Sequence, residues 1–223
     1  MNSLTSSGLV QSRGLKPARI LAYSLSIAVL LGAGWLCIYG ESFFSLTCRV
    51  PAEVLVVEGW IGDQGVSAAA EEFMRSDYKY VVVTGGQTDG RPSSSNYAEI
   101  AAGELNRLGI PEDKIVIAKT EGIERERTFK SAAAAWRALQ NKGIHPNDIN
   151  VLTLGPHARR SRSVYGKVFA PATHIGVIAW VPAGYGSAPW WRSTRRTKCF
   201  LKEIVGYPFE LLLNSGRISN SPG

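Results

Sequence analysis

Five short runs of aliphatic and β-branched residues recur along the chain, at residues 53–57, 80–84, 114–118, 149–154 and 175–181, and each stops at a glycine, a proline or a charge. Apolar runs of this length bounded by breakers read as strands buried on both faces, and strands covered on both faces belong to parallel sheets. Helix-patterned stretches lie between them, at residues 67–75, 97–108 and 128–140. Strand and helix in alternation predict an α/β domain, a three-layer, doubly wound, Rossmann-like sandwich around a mostly parallel sheet. A hydrophobic fraction of 45% with 19% charge is enough apolar material for such a core and excludes a disordered chain.

Ahead of the domain, residues 20–39 (ILAYSLSIAVLLGAGWLCIY) carry no charge. Twenty helical residues cover about 30 Å, the thickness of a bilayer's hydrocarbon core. A cleaved signal peptide and a helix buried in a soluble core compete with a transmembrane anchor here. The length favours the anchor, because signal-peptide cores run to about 7–15 apolar residues. Trp35 and Tyr39 suit an interface near the far end, and Cys37 reads as a membrane-buried thiol. Arg13, Lys16 and Arg19 precede the span and Glu41 follows it, so the positive-inside rule leaves the N-terminus in the cytoplasm and the domain outside. The expected organisation is a basic N-terminus over residues 1–19, an anchor over 20–40, a linker over 41–51, the α/β domain over 52–216 and a polar tail over 217–223. Cys48 and Cys199 lie outside the span; an oxidising compartment would permit a bridge between them, and the sequence does not require one.

Chemistry in an open α/β sheet gathers at the carboxyl ends of the strands, where loops splay apart and helix N-termini point at the crevice. The first strand ends in Glu58, Gly59 and Trp60, and a carboxylate directly after VLVV needs a cation, a metal or hydrogen bonds. The second ends in Thr84, Gly85 and Gly86, where a ligand's close approach and a tight turn explain paired glycines equally well. Arg127 and Thr128 open the helix after the third strand, where Thr128 serves equally as an N-cap. The fourth ends in Gly155-Pro156-His157, followed by Arg159, Arg160 and Arg162. Cations crowded at a helix start oppose its macrodipole, and an anion compensates them; a solvated basic face is the competing reading for Arg159 and Arg162. The histidines are too dispersed for a local metal motif, no Walker, dinucleotide or nucleophile-elbow signature is present, and the sequence specifies no cofactor.

In order, EVLVVEGW, VVVTGG, the YAEIA helix with Glu99, GIPEDKI, RTFKSA and LTLGPHARRS resemble the bacterial envelope family that includes SanA, ElyC and YdcF, over residues 52–209. The resemblance implies a Rossmann-like fold. For the anchored members it implies an N-terminal span in the inner (plasma) membrane with the domain on the periplasmic side, and roles in cell-wall precursor metabolism and barrier integrity. It also marks Glu99, on the helix after the second strand, as a site residue. Trp60 stands near the pattern's second glycine, and Arg127, Lys130 and Ser131 replace an amide, an acid and an amide around Thr128, a shift toward basic contacts.

Residues 155–223 hold ten basic and two acidic side chains, so the formal net charge of +7 comes from the last third of the chain. That skew predicts an anionic small-molecule or lipid-linked partner besides the bilayer itself, and the outward topology disfavours nucleic acid. Trp190, Trp191 and Arg192, with Arg195, Arg196 and Lys198, read as a lid or membrane-facing surface, or as a helix packing its tryptophans on the sheet. Two function classes follow. In one, a hydrolase or transferase acts on a phosphorylated envelope precursor with His157 as general acid or base, Glu58 or Glu99 orienting it or holding a metal, and the arginines and glycines binding phosphate. In the other, the same pocket binds an anionic ligand or an envelope partner without chemistry.

Overall fold

Each apolar run forms a strand, and all pairings between the strands are parallel. The structure is a computed structural model and describes residues 17–87, 96–120, 127–169, 171, 173–185 and 188–212. Arg13, Lys16 and the tail 217–223 lie outside the described residues. The chain divides into two units, Met1–Gly40 and Glu41–Gly223, each taken by itself below.

The first unit carries most of α1 (Pro17–Phe44), whose side chains are largely exposed and whose mean hydropathy reaches 2.0. It is long and apolar enough to cross a membrane.

In the second unit the order is β1 (Val54–Glu58), α2 (Asp63–Arg75), β2 (Tyr80–Gly85), α3 (Tyr97–Arg107), β3 (Ile115–Lys119), α4 (Arg127–Asn141), β4 (Asp148–Leu154), α5 (Ala158–Phe169), β5 (His174–Trp180) and α6 (Thr194–Leu212). The sheet runs β3-β2-β1-β4-β5. Connections step outward from β1 to β3, then cross to β4 on β1's other side, so the topological switch point falls between β1 and β4. Side chains alternate along a strand. Leu55 and Val57 therefore join Val83, Ala69 and Leu105 under α2 and α3, while Val54 and Val56 join Val82, Val151, Ala135 and Tyr165 under α4 and α5.

Residues 41–51 are more than the expected linker. Glu41–Phe44 complete α1, and Cys48 pairs antiparallel with Val177, its N–H and C=O both 2.8 Å from their partners, which covers the open edge of β5. Asn150, buried in β4, holds that segment: its amide donates to Val50 O at 2.8 Å and to the Tyr78 hydroxyl at 2.9 Å, and its oxygen accepts from Val50 N at 3.0 Å. Its neighbour across the ladder is Gly176, where a Cβ would lie 1.9 Å from that oxygen. The described cysteines are free thiols.

Candidate functional site at the switch point

The alternation that buries Val54 and Val56 carries Glu58 onto the same face at the carboxyl end of β1, with 1% of its surface exposed. By the same rule Thr153 at the end of β4 faces it, and its hydroxyl donates to Glu58 Oε2 at 2.5 Å. Ser161, one turn into α5, donates to Oε1 at 3.1 Å. The hydrogen bonds expected of a buried carboxylate are supplied by hydroxyls, with His157 Nε2 a further 3.6 Å from Oε2.

His157 ends a single 3-10 turn, Gly155–His157, between β4 and α5. Its Nδ1 lies 2.9 Å from Glu203 Oε1, its Nε2 lies 3.2 Å from the Thr128 hydroxyl, and Trp60 stands edge-on to the ring at 5.3 Å. Thr128 is the second residue of α4 and Glu203 comes from the middle of α6, so two helices meet on one imidazole. Arg160 grips Glu203 with both prongs, Nε to Oε2 at 2.7 Å and Nη2 to Oε1 at 2.9 Å, and aims Nη1 at the Thr128 hydroxyl, 3.5 Å away.

These contacts accommodate either neutral tautomer of the ring. Arg160 Nη2 lies 3.0 Å from Nδ1 and carries two protons, one with Glu203 Oε1 as acceptor and one left for a bare Nδ1. Burial on its own raises the Glu203 carboxyl; hydrogen bonds from Arg160 and His157 outweigh it and bring it down to about 2, so Glu203 is an acceptor. With its proton on Nδ1, directed at Glu203, the ring presents the Nε2 lone pair to Thr128. Arg160 moves the other way: burial lowers its affinity for the proton, and Glu203 more than restores it. Beneath the cluster, burial lifts the Tyr165 phenol well above its usual range, with Glu58 adding to the effect.

The other expected residues divide. Glu99 is exposed in the first turn of α3, ion-paired with Lys119 at 2.5 Å, and takes no part in the contacts of His157. Arg159 donates to Phe43 O at 2.7 Å and lies over the Phe43 ring; Arg162 donates to Ile175 O at 2.9 Å. Both arginines fasten backbone, and neither points at the cluster: they stand one and two residues from Arg160, and side chains so spaced on a helix face different ways. Arg127 is exposed at the start of α4, and Trp60 is 40% exposed. Thr84 is fully buried, its hydroxyl on Val57 O at 3.4 Å.

The glycines have a packing reason. A Cβ on Gly59 would sit 2.7 Å from Tyr97 O, and one on Gly85 would sit 2.6 Å from Ala98 N. Both admit the first turn of α3 against the strand ends, while Gly86 O accepts from Tyr97 N at 2.9 Å. The charges around His157 are two buried acids, Glu58 and Glu203, and one half-buried base, Arg160. Glu203 itself escaped the sequence reading; its signal was that of an acid among only two in the basic last third of the chain.

Among the described residues no group of three or more His, Cys, Asp and Glu side chains is placed to hold a metal ion. Comparison of the sequence with protein-family models and with curated proteins finds no match.

Proposed function

We propose that this is a single-pass envelope protein, related to the family of SanA, ElyC and YdcF, whose α/β domain hydrolyses or transfers the phosphoryl group of an anionic cell-wall or lipid-linked precursor. Its N-terminus is cytoplasmic and its domain lies on the periplasmic side of the inner membrane. The observation that carries the catalytic reading is the line Glu203–His157–Thr128, an acid orienting an imidazole whose far nitrogen faces a hydroxyl, at 2.9 and 3.2 Å. Support for an anionic substrate comes from the N-termini of α4 and α5, both at this cluster, and from Arg160 Nη1 beside Thr128. They offset the two carboxylates.

In this reading His157 Nε2 takes the proton of the Thr128 hydroxyl as its oxygen attacks phosphorus, and the bond from phosphorus to the leaving oxygen breaks. The imidazolium, held by Glu203, returns the proton to that oxygen. Water then attacks the phosphothreonine, giving its proton to His157, and the threonine oxygen leaves as a hydroxyl, reprotonated by His157. Glu58 is a positioning residue, fixing Ser161 and the end of β4 beneath the imidazole.

The full chain, incubated with a polyprenyl diphosphate, should release inorganic phosphate. His157→Gln should lower turnover by about 10²–10⁴-fold with binding retained, and Thr128→Val should abolish the phosphothreonine. Equal turnover in the His157 variant removes the catalytic role. A binding or scaffold role is the second reading, and the observation favouring it is that Arg160 is already committed to Glu203 while His157 keeps only 11% of its side chain exposed. Ligand retention with no phosphate release from any variant or from the native chain would establish it.

A further inference from the structure

We infer that the outward face of α6 docks on the bilayer surface, its apolar side chains among the lipid chains' upper carbons and its basic side chains on anionic headgroups. This rests on the reading of α1 as a membrane anchor. At 100° per residue, Leu201, Val205, Phe209 and Leu212 fall within an arc of about 80° on α6. All are exposed, at 50%, 71%, 49% and 76%. Arg195, Lys198 and Lys202 are exposed within and beside the same arc, while Arg196, Phe200, Glu203 and Glu210 are buried on the opposite side. An apolar stripe flanked by lysine and arginine is the pattern of a helix lying in a membrane interface.

Two further observations choose lipid as the occupant. The buried side of α6 packs on the residues that follow the apolar span: Arg196 donates to Glu41 at 3.0 Å, and Phe44 meets Phe200 and Tyr207 at 5.8 and 5.9 Å between ring centres. Glu41 is joined directly to Gly40, so chain continuity alone keeps α6 close to wherever the span leaves the bilayer. Just before α6, Trp190 packs tilted against Phe200, 4.3 Å between ring centres, whereas Trp191 is 52% exposed beside Arg192, the aromatic and cationic pair favoured at interfaces.

The test uses the full chain in nanodiscs of phosphatidylcholine with and without phosphatidylglycerol, with a photoreactive benzoylphenylalanine at position 205, at position 30 in the span or at exposed position 71 on α2. Lipid adducts at 30 and 205, about tenfold above those at 71, are expected. Lys198→Gln and Lys202→Gln should each lower the yield at 205 about fivefold in the anionic discs and leave the yield at 30 unchanged. Lipid adducts at 30 with none at 205 would overturn the docking and spare the anchor. Protein adducts at 205 would overturn it in favour of a second copy or the chain's own tail. Loss of lipid adducts at 30 would instead sink the anchor reading and the docking with it.

Discussion

Glu203 is placed to answer to pH as well as to His157. Its carboxyl falls from the ordinary value of 4.5 to about 2, against the burial that would raise it. A depressed folded-state value means that its contribution to stability is complete above about pH 4.5 and is lost as pH falls toward 2. The shift corresponds to ~3 kcal/mol, so Glu203→Gln should lower stability near neutrality by a similar amount and flatten acid unfolding between pH 4.5 and 2, read by circular dichroism across pH. Glu58 makes a different demand: removing a hydroxyl from its cage with Thr153→Val leaves a buried acceptor short of a partner and should cost about 1–3 kcal/mol in denaturant unfolding. The paired glycines show where sequence reasoning stops. A glycine demanded by a ligand and one demanded by a helix look identical in the chain, and only the 2.7 and 2.6 Å approaches of α3 distinguish them. Gly59→Ala and Gly85→Ala should each destabilise by roughly 1–3 kcal/mol with no ligand present, measurable as a lower melting temperature.

Among the elements, the strands were legible because each is a continuous apolar run closed by a breaker, a signal that burial on both faces produces directly. Helix starts were less so. α2 begins at Asp63, four residues before its alanine-rich stretch, because Gly62 at φ +85° turns the chain into it and an acid there suits the N-terminal dipole. α6 was hardest, since Glu203 faces inward from a helix whose other charges, Glu210 apart, are basic, and nothing local marks which turn meets α5. Residues 45–50 were read as a linker because their contribution is backbone pairing along β5, which depends on Asn150 one hundred residues away. Gly176→Ala would push a Cβ into the Asn150 oxygen, and hydrogen exchange should then rise at the Cys48 and Val177 amides while those of β1 stay protected.

For the whole molecule, the excess of positive charge in the last third was legible as a number and not as a place. The arginines of α5 were read as phosphate ligands and residues 190–198 as a lid, a membrane-facing surface or a packed helix; folding sends Arg159 and Arg162 to backbone carbonyls, Arg160 to Glu203, and Arg195, Lys198 and Lys202 to the outside of α6. Partners in space decide what a charge does, and those partners lie about 13 to 116 residues away in the chain. The switch point between β1 and β4 was within reach, because Glu58 follows from the alternation along β1 and His157 from the Gly-Pro stop after β4. The account turns on His157 presenting a bare Nε2 to Thr128 under the hold of Glu203. Nitrogen-15 spectra of the imidazole rings in the full chain, taken at a pH where His157 is neutral, test this directly. The account predicts a proton on Nδ1, shifted far downfield and moved by Glu203→Gln, and an unprotonated Nε2; a proton on Nε2 and none on Nδ1 would contradict it.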